Sequence, residues 1–398
     1  MSAADEALAL RDAMDAFHNY LREAQQLIES AQGLSAQERA DGYAYLIGLM
    51  VKITQMAMAN VDSTHPYFRR SQDTFSKYGL DNPDNLYAYA WIDDASEYRI
   101  AGTRGTASDF LFQIFAGNPG DGSLAQIIDQ LDLERFQFNP DGTYEAIISR
   151  TPQPRNWLKS GPGASLIVLR QCFGDNWPDQ RKGEVFIERI GGEGTPAPTP
   201  APAQIAARIR EAGRLLAANV RYWIEFNDNM VGPTPVNAIA RPWRTVGGIA
   251  GQFISAGKYN LAADEALVLT LEPVNLRYFN ILMADLFWFI TFDYRDRQSS
   301  YALPGQAYQS SDGKYRYVVS RQDPGAPNWL DTCDRPRGTV FLRWQGVSGA
   351  QPQQPAAKVV KVSEVWKELP AGEPAVSAEQ RRRLVSARSA AINRRYGI

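Results

Sequence analysis

The sequence predicts a mainly β protein with flanking helices (α+β), built on two tandem antiparallel β-sandwiches from an internal duplication. Three observations carry that reading. The chain repeats itself: Asp141-Gly142-Thr143-Tyr144, Ser149-Arg150, Asn156-Trp157-Leu158 and Leu169-Arg170 return as Asp312-Gly313-Lys314-Tyr315, Ser320-Arg321, Asn328-Trp329-Leu330 and Leu342-Arg343. The second copy has one more residue before Asn-Trp-Leu and one more after it. Self-similarity on this scale marks a duplicated structural unit. Strands cluster instead of alternating with helices, which argues against a parallel Rossmann or TIM layout. Aromatic residues make up 11% of the chain, with 9 Trp and 18 Tyr, and flat rings pack well on pleated surfaces.

The first 80 residues read as a helical segment. Leu8, Met14, Phe17, Leu21, Ala24 and Ile28 describe one helical face over residues 4–31. Ser35, with Glu38 at capping-box spacing, opens a second helix to about Asn60, with Tyr43, Leu46, Leu49, Ile53 and Met56 inward. A third helical piece is expected over 65–78. Asp81-Asn82-Pro83-Asp84-Asn85 is turn chemistry, and the period then changes to that of strands. Residues 81–190 form the first sandwich. Residues 191–203, with alternating prolines, form a semi-stiff linker. A connecting helix occupies 204–230, the second sandwich 231–347, and a Pro/Gln-rich linker with a C-terminal helix 348–398. Leu286–Phe292 is apolar enough to read as a strand buried on both faces.

Length fits two domains with appendages, and the 44% hydrophobic and 22% charged composition fits a soluble globular chain. A net charge of −2 supplies no general field for nucleic acid, so no nucleic-acid partner is expected. The arginine-rich C-terminal run, beginning Arg381-Arg382-Arg383, reads as a solvated helix face or an interface. No apolar stretch has membrane-spanning length and the acidic start argues against a signal peptide, so a cytoplasmic protein without membrane contact is expected. Cys172 and Cys333 read as buried or incidental thiols. His18 and His65 are the only histidines, too few for a multi-histidine metal centre. There is no Walker A loop, no Gly-x-Ser-x-Gly elbow and no His-Glu-x-x-His, so cofactor-independent behaviour is expected.

Candidate chemistry concentrates in the second copy. The apolar run ends in Asp293-Tyr294-Arg295-Asp296-Arg297, and Asp331 follows Asn328-Trp329-Leu330. Carboxylates beside aromatic walls acquire raised pKa values and serve as general acids. Asp293 and Asp331 are therefore the catalytic candidates, and a facing pair would suit glycoside hydrolysis. Arg295 and Arg321 are the anion anchors, since a guanidinium grips a carboxylate with two prongs. Trp288, Trp329, Tyr294 and Asn328 complete the expected substrate walls. The competing structural account has the Asn-Trp-Leu corners plug the open ends of the sandwiches, each Asn amide satisfying loop backbone.

Several stretches resemble the domain-of-unknown-function family numbered 1214: Asp81-Asn82-Pro83-Asp84-Asn85, Tyr98-Arg99-Ile100-Ala101-Gly102-Thr103-Arg104-Gly105, Pro154-Arg155-Asn156-Trp157-Leu158, Phe292-Asp293-Tyr294-Arg295, Asp323-Pro324-Gly325-Ala326-Pro327-Asn328-Trp329-Leu330-Asp331 and the ending Arg394-Arg395-Tyr396-Gly397. The resemblance covers most of the chain. It implies jelly-roll sandwiches paired side by side and a ring-like homo-oligomer, and it implies no reaction. The function expected is an enzyme-like protein, a glycosidase-like hydrolase or a lyase, acting without a redox or nucleotide cofactor. Its substrate would be a small, partly apolar, oxygenated or glycosidic molecule. The alternative is a non-catalytic ligand-binding or assembly protein.

Overall fold

The structure, a computed structural model, describes residues 2–59, 61–117, 126–245 and 248–397. Helix α1 (Ala3–Ser30) leads into α2 (Ala36–Met58), and Ser35 and Glu38 form the expected reciprocal cap. Asn60, the expected end of α2, lies outside the described residues. The chain then builds nine strands: β1 (Arg69–Arg70), β2 (Asn85–Trp91), β3 (Tyr98–Thr103), β4 (Asp109–Ala116), β5 (Gln126–Asp132), β6 (Thr143–Ser149), β7 (Trp157–Lys159), β8 (Ala164–Cys172) and β9 (Val185–Arg189). Helix α3 (Pro202–Val231) follows the proline-rich linker. Nine more strands come after it: β10 (Trp243–Arg244), β11 (Phe253–Asn260), β12 (Glu265–Leu271), β13 (Tyr278–Ala284), β14 (Ser300–Leu303), β15 (Tyr315–Ser320), β16 (Trp329–Asp331), β17 (Arg337–Gln345) and β18 (Ala356–Lys361). Helix α4 (Ala378–Tyr396), capped by Ser377, closes the chain.

Both halves use one strand order. The first half has a five-stranded sheet β1-β2-β8-β4-β5 and a four-stranded sheet β7-β6-β3-β9; the second has β10-β11-β17-β13-β14 and β16-β15-β12-β18. Each strand of the second half occupies the place of the strand nine earlier. Pairing is antiparallel except for β6 with β7 and β15 with β16, the short strands opened by the two Asn-Trp-Leu corners. Within each half the two sheets enclose one core, Ile100, Phe112 and Ile148 meeting in the first and Leu269, Ile281 and Val319 in the second. The repeat's Leu169 and Leu342 lie in those cores, fully or almost fully buried.

The corners are equivalent in detail. Asn156 accepts from Gln137 N at 2.7 Å and donates to Gln137 O and Glu145 O, both at 2.8 Å. Asn328 accepts from Tyr308 N at 2.8 Å and donates to Tyr308 O at 2.8 Å and Arg316 O at 2.9 Å. Trp157 and Trp329 each donate Nε1–H to a serine carbonyl, Ser149 and Ser320, at 3.1 Å. Gly142 and Gly313 turn with φ of 80° and 81°, which only glycine adopts without cost.

Four expectations need correction. Residues 65–78 are not a third helix. Pro66 interrupts the segment, Arg69 and Arg70 pair with Tyr89 and Ala88, and Asp73 caps a turn by accepting from Phe75 N and Ser76 N. Leu286–Phe292 is not a strand: β13 ends at Ala284 and the chain loops back on itself. There the Asp285 carboxylate accepts from Phe287 N at 2.7 Å, Ile290 N at 2.8 Å and Trp288 N, and Phe289 takes a φ of +56°. The apolar side chains are buried because the loop inserts under the helices: Trp288 packs with Ile28, Leu49 and Leu216, and its indole donates to Glu38 O. The second half also runs past residue 347, because β18 pairs with β12 and completes the four-stranded sheet. Tyr43, expected inward on α2, points outward and donates its hydroxyl to Glu29.

Candidate functional site

Strand alternation places the site. Successive side chains of a strand point to opposite faces, so β17 sends Val340, Leu342 and Trp344 into its core and Phe341, Arg343 and Gln345 out the other side. Strand β8 likewise sends Ile167 and Leu169 inward and Leu166, Val168 and Arg170 outward. The outward faces of the two five-stranded sheets, with α2 and α3, surround a cavity of about 240 Å³. Thus the arginine that closes each copy of the repeat reaches the same cavity, one from each half.

The halves are locked together beside it. The Asp81–Asn85 turn is buried; Asn82 donates to the Tyr278 hydroxyl at 2.8 Å and Asn280 donates to Asp84 at 2.7 Å. Arg343 donates to Asn280 Oδ1 at 3.2 Å and to the Leu80 carbonyl, which leaves it donor hydrogens to spare. Arg170 is less engaged. Its guanidinium lies 5.9 Å from the Tyr87 ring centre, and its buried Nη1 has no hydrogen-bond partner. Burial depresses the Arg170 pKa, and the nearby Arg343 charge works in the same direction. A third basic residue, Lys52 on α2, also lines the cavity and is 4% exposed.

Trp223, Phe226, Phe289 and Phe341 form an aromatic wall, with Trp223 and Phe289 stacked at 5.4 Å. Leu80, Ile254 and Met230 extend it. Two polar atoms on this wall, Tyr222 Oη and Trp223 Nε1, are buried without partners. Among the described residues that line the cavity there is no Asp or Glu. Basic groups set among aromatic and aliphatic walls are the chemistry of a site for an organic anion with an apolar body.

None of the catalytic or substrate-binding candidates drawn from the sequence lines this cavity. Asp293 is exposed and accepts from Arg295 N and Asp296 N in its own turn. Asp331 is buried against Arg297, 2.7 Å away; burial raises its pKa, and the Arg297 hydrogen bond opposes that shift. Cys333 links the two, its N–H donating to Asp331 and its thiol lying 3.8 Å from the Asp293 carbonyl. Arg295 is held by Asp296 and Asn393, and Tyr294 is buried with its hydroxyl 3.1 Å from that of Tyr396. The Trp329 ring lies under Arg381, and Arg321 is half-buried beyond its strand end. Asn328 and Trp288 serve backbone groups, as described above. Tyr294, Arg295 and Trp329 all pack on α4 but at opposite ends of it, Trp329 beside Arg381 and Tyr294 and Arg295 beside Tyr396 and Asn393, so the structure does not bring them together. The missed residues left one signal: the repeat ends in a Leu-Arg pair inside strands otherwise rich in apolar residues.

A solved structure of an uncharacterised protein from Burkholderia cenocepacia matches with a TM-score of 0.82 and 29% identity, over 90% of this chain and 99% of that one. It shares the β-rich α+β fold. The VPA0106 protein from Vibrio parahaemolyticus aligns at 12% identity and a TM-score of 0.46, over 86% of this chain and 100% of that one. No family model and no curated protein matches the chain. Among the described residues no helix is long and apolar enough to cross a membrane.

Proposed function

We propose that the chain binds a small, partly apolar organic anion, a monocarboxylate, in the cavity between its two β-rich halves, and acts on it as an enzyme. One observation carries this reading: Arg170 and Arg343, from matched positions of the repeat, face a common cavity whose remaining walls are largely aromatic and aliphatic. A guanidinium with an unpartnered buried donor costs stability unless something binds it. A carboxylate supplies both the charge and the acceptor.

The identical strand orders and corners support an origin by gene duplication, and a jelly-roll description of each half is proposed on the resemblance alone. A kinship with family 1214 is proposed on the motifs quoted above and adds no chemistry.

The test is calorimetric. With 3-phenylpropanoate and its neutral amide as probes, the acid should bind at least about tenfold tighter, the ratio that a difference of ~1.4 kcal/mol produces. Arg170→Met should erase that preference without lowering the melting temperature. Equal affinity for acid and amide, or an unchanged preference in the variant, would contradict the reading.

A further inference from the structure

The cavity's third basic residue is not needed to hold a carboxylate. Lys52 sits on α2, is almost fully buried, and lines the cavity. Among the described residues it makes no ion pair; its amine donates to Met56 Sδ at 2.9 Å, and the Tyr78 ring centre lies 4.0 Å away. A thioether accepts hydrogen bonds weakly, and a phenol ring is poor compensation for a desolvated ammonium. The surroundings therefore favour the neutral amine, and burial brings the lysine pKa down to about 7. A neutral, desolvated lysine opening into a ligand cavity is the arrangement of an amine nucleophile.

We propose that Lys52 forms an imine with the carbonyl carbon of an oxo acid whose carboxylate is held by Arg170 and Arg343. The step balances without an oxidant or reductant. The Nζ lone pair attacks the carbonyl carbon to give a carbinolamine. Its C–O bond then breaks, a C=N bond forms, and the two amine protons and the carbonyl oxygen leave as one water. The imine draws electrons from the adjacent C–C or C–H bond, which is lyase rather than glycosidase chemistry. The substrate class narrows to small carbonyl-bearing carboxylates with an apolar tail, accommodated by Trp223 and Phe289.

The inference rests on the anion-site reading, and the experiment separates the two. The full chain is incubated with phenylpyruvate and sodium cyanoborohydride, then mapped by peptide mass spectrometry. Hydride reduction fixes the imine as a secondary amine, so one adduct is expected on Lys52, heavier by the acid less one oxygen. Lys52→Met should carry no adduct there yet still bind 3-phenylpropanoate within about threefold of the parent, a loss under ~1 kcal/mol. If 3-phenylpropanoate binds and phenylpyruvate leaves Lys52 unmodified, the imine proposal is overturned and the anion site stands. If neither acid binds, the anion-site reading falls and the imine proposal falls with it.

Discussion

Lys52 and Arg170 are residues whose placement works against stability. Each is a basic group held in low-dielectric surroundings without a carboxylate partner, and burial of that kind costs several kcal/mol per charge unless the group neutralises or finds compensation. For Lys52 the consequence can be read from pH. Its folded pKa near 7 lies below the ordinary 10.5, so between those values the unfolded chain binds a proton that the folded chain does not. Stability should therefore rise with pH across this window, with the full cost present below about pH 7. Lys52→Met keeps an unbranched stem and removes the charge. It should raise stability at about pH 6 by roughly 2–4 kcal/mol and flatten the rise toward about pH 9, followed by urea unfolding. A variant with the parent's pH slope would show that the amine stays solvated. Neither residue was legible as functional in the sequence, because a lone lysine in a helix and an arginine in a strand look like ordinary surface residues. Burial is a tertiary property, and only the packing of the two halves creates it.

At the scale of elements, the sequence disclosed what local chemistry dictates and concealed what packing decides. The Ser35–Glu38 cap follows from side-chain-to-backbone hydrogen bonds within a few residues and appears where expected, and the same local chemistry makes the Asp-Gly turns and the Ser377 cap of α4. The stretch 286–292 misled because strands and buried loops share a hydrophobic signature. It is held by the Asp285 carboxylate, which takes three N–H bonds in place of a strand partner. Burial pushes that carboxyl up to about 6 despite those bonds, so between about 4 and 6 the folded chain takes up the proton first. This group's contribution accordingly falls as pH rises through that window. Asp285→Ala leaves three amides unsatisfied and should cost roughly 2–4 kcal/mol in chemical denaturation, also loosening Trp288 from the helix cluster. No change in the unfolding midpoint would mean that Trp288 burial alone holds the loop. The same reasoning explains the basic C-terminal run. Arg381, Arg388 and Arg395 are buried along one face of α4 and donate to Asp323, to the Tyr294 and Ser300 carbonyls, and to the Pro83 carbonyl. They serve as fasteners of the helix.

Across the whole molecule, the repeated half is legible in sequence and the cavity between the halves is not. The corners centred on Asn156 and Asn328 match bond for bond, because each satisfies the same loop backbone in the same strand order. A site confined to one half would repeat its residues or lose one copy. A site between halves instead takes a single residue from each, and the repeat advertises it only through a shared terminal arginine. The catalytic candidates in the second half were chosen on the premise that a site belongs to one sandwich. The structure leaves Asp293 in its own turn and Asp331 against Arg297, with their oxygens already committed to backbone amides and to that guanidinium. The cavity instead joins β8 to β17 under α2 and α3, where an anion would tie the two halves together. A crystal structure of the full chain grown with 3-phenylpropanoate tests this most directly. The account predicts the carboxylate within about 3 Å of guanidinium nitrogens of both Arg170 and Arg343, with the phenyl ring against Trp223 and Phe289. A probe bound beside Asp293 and Asp331, or a cavity left without it at saturating concentration, would contradict the account.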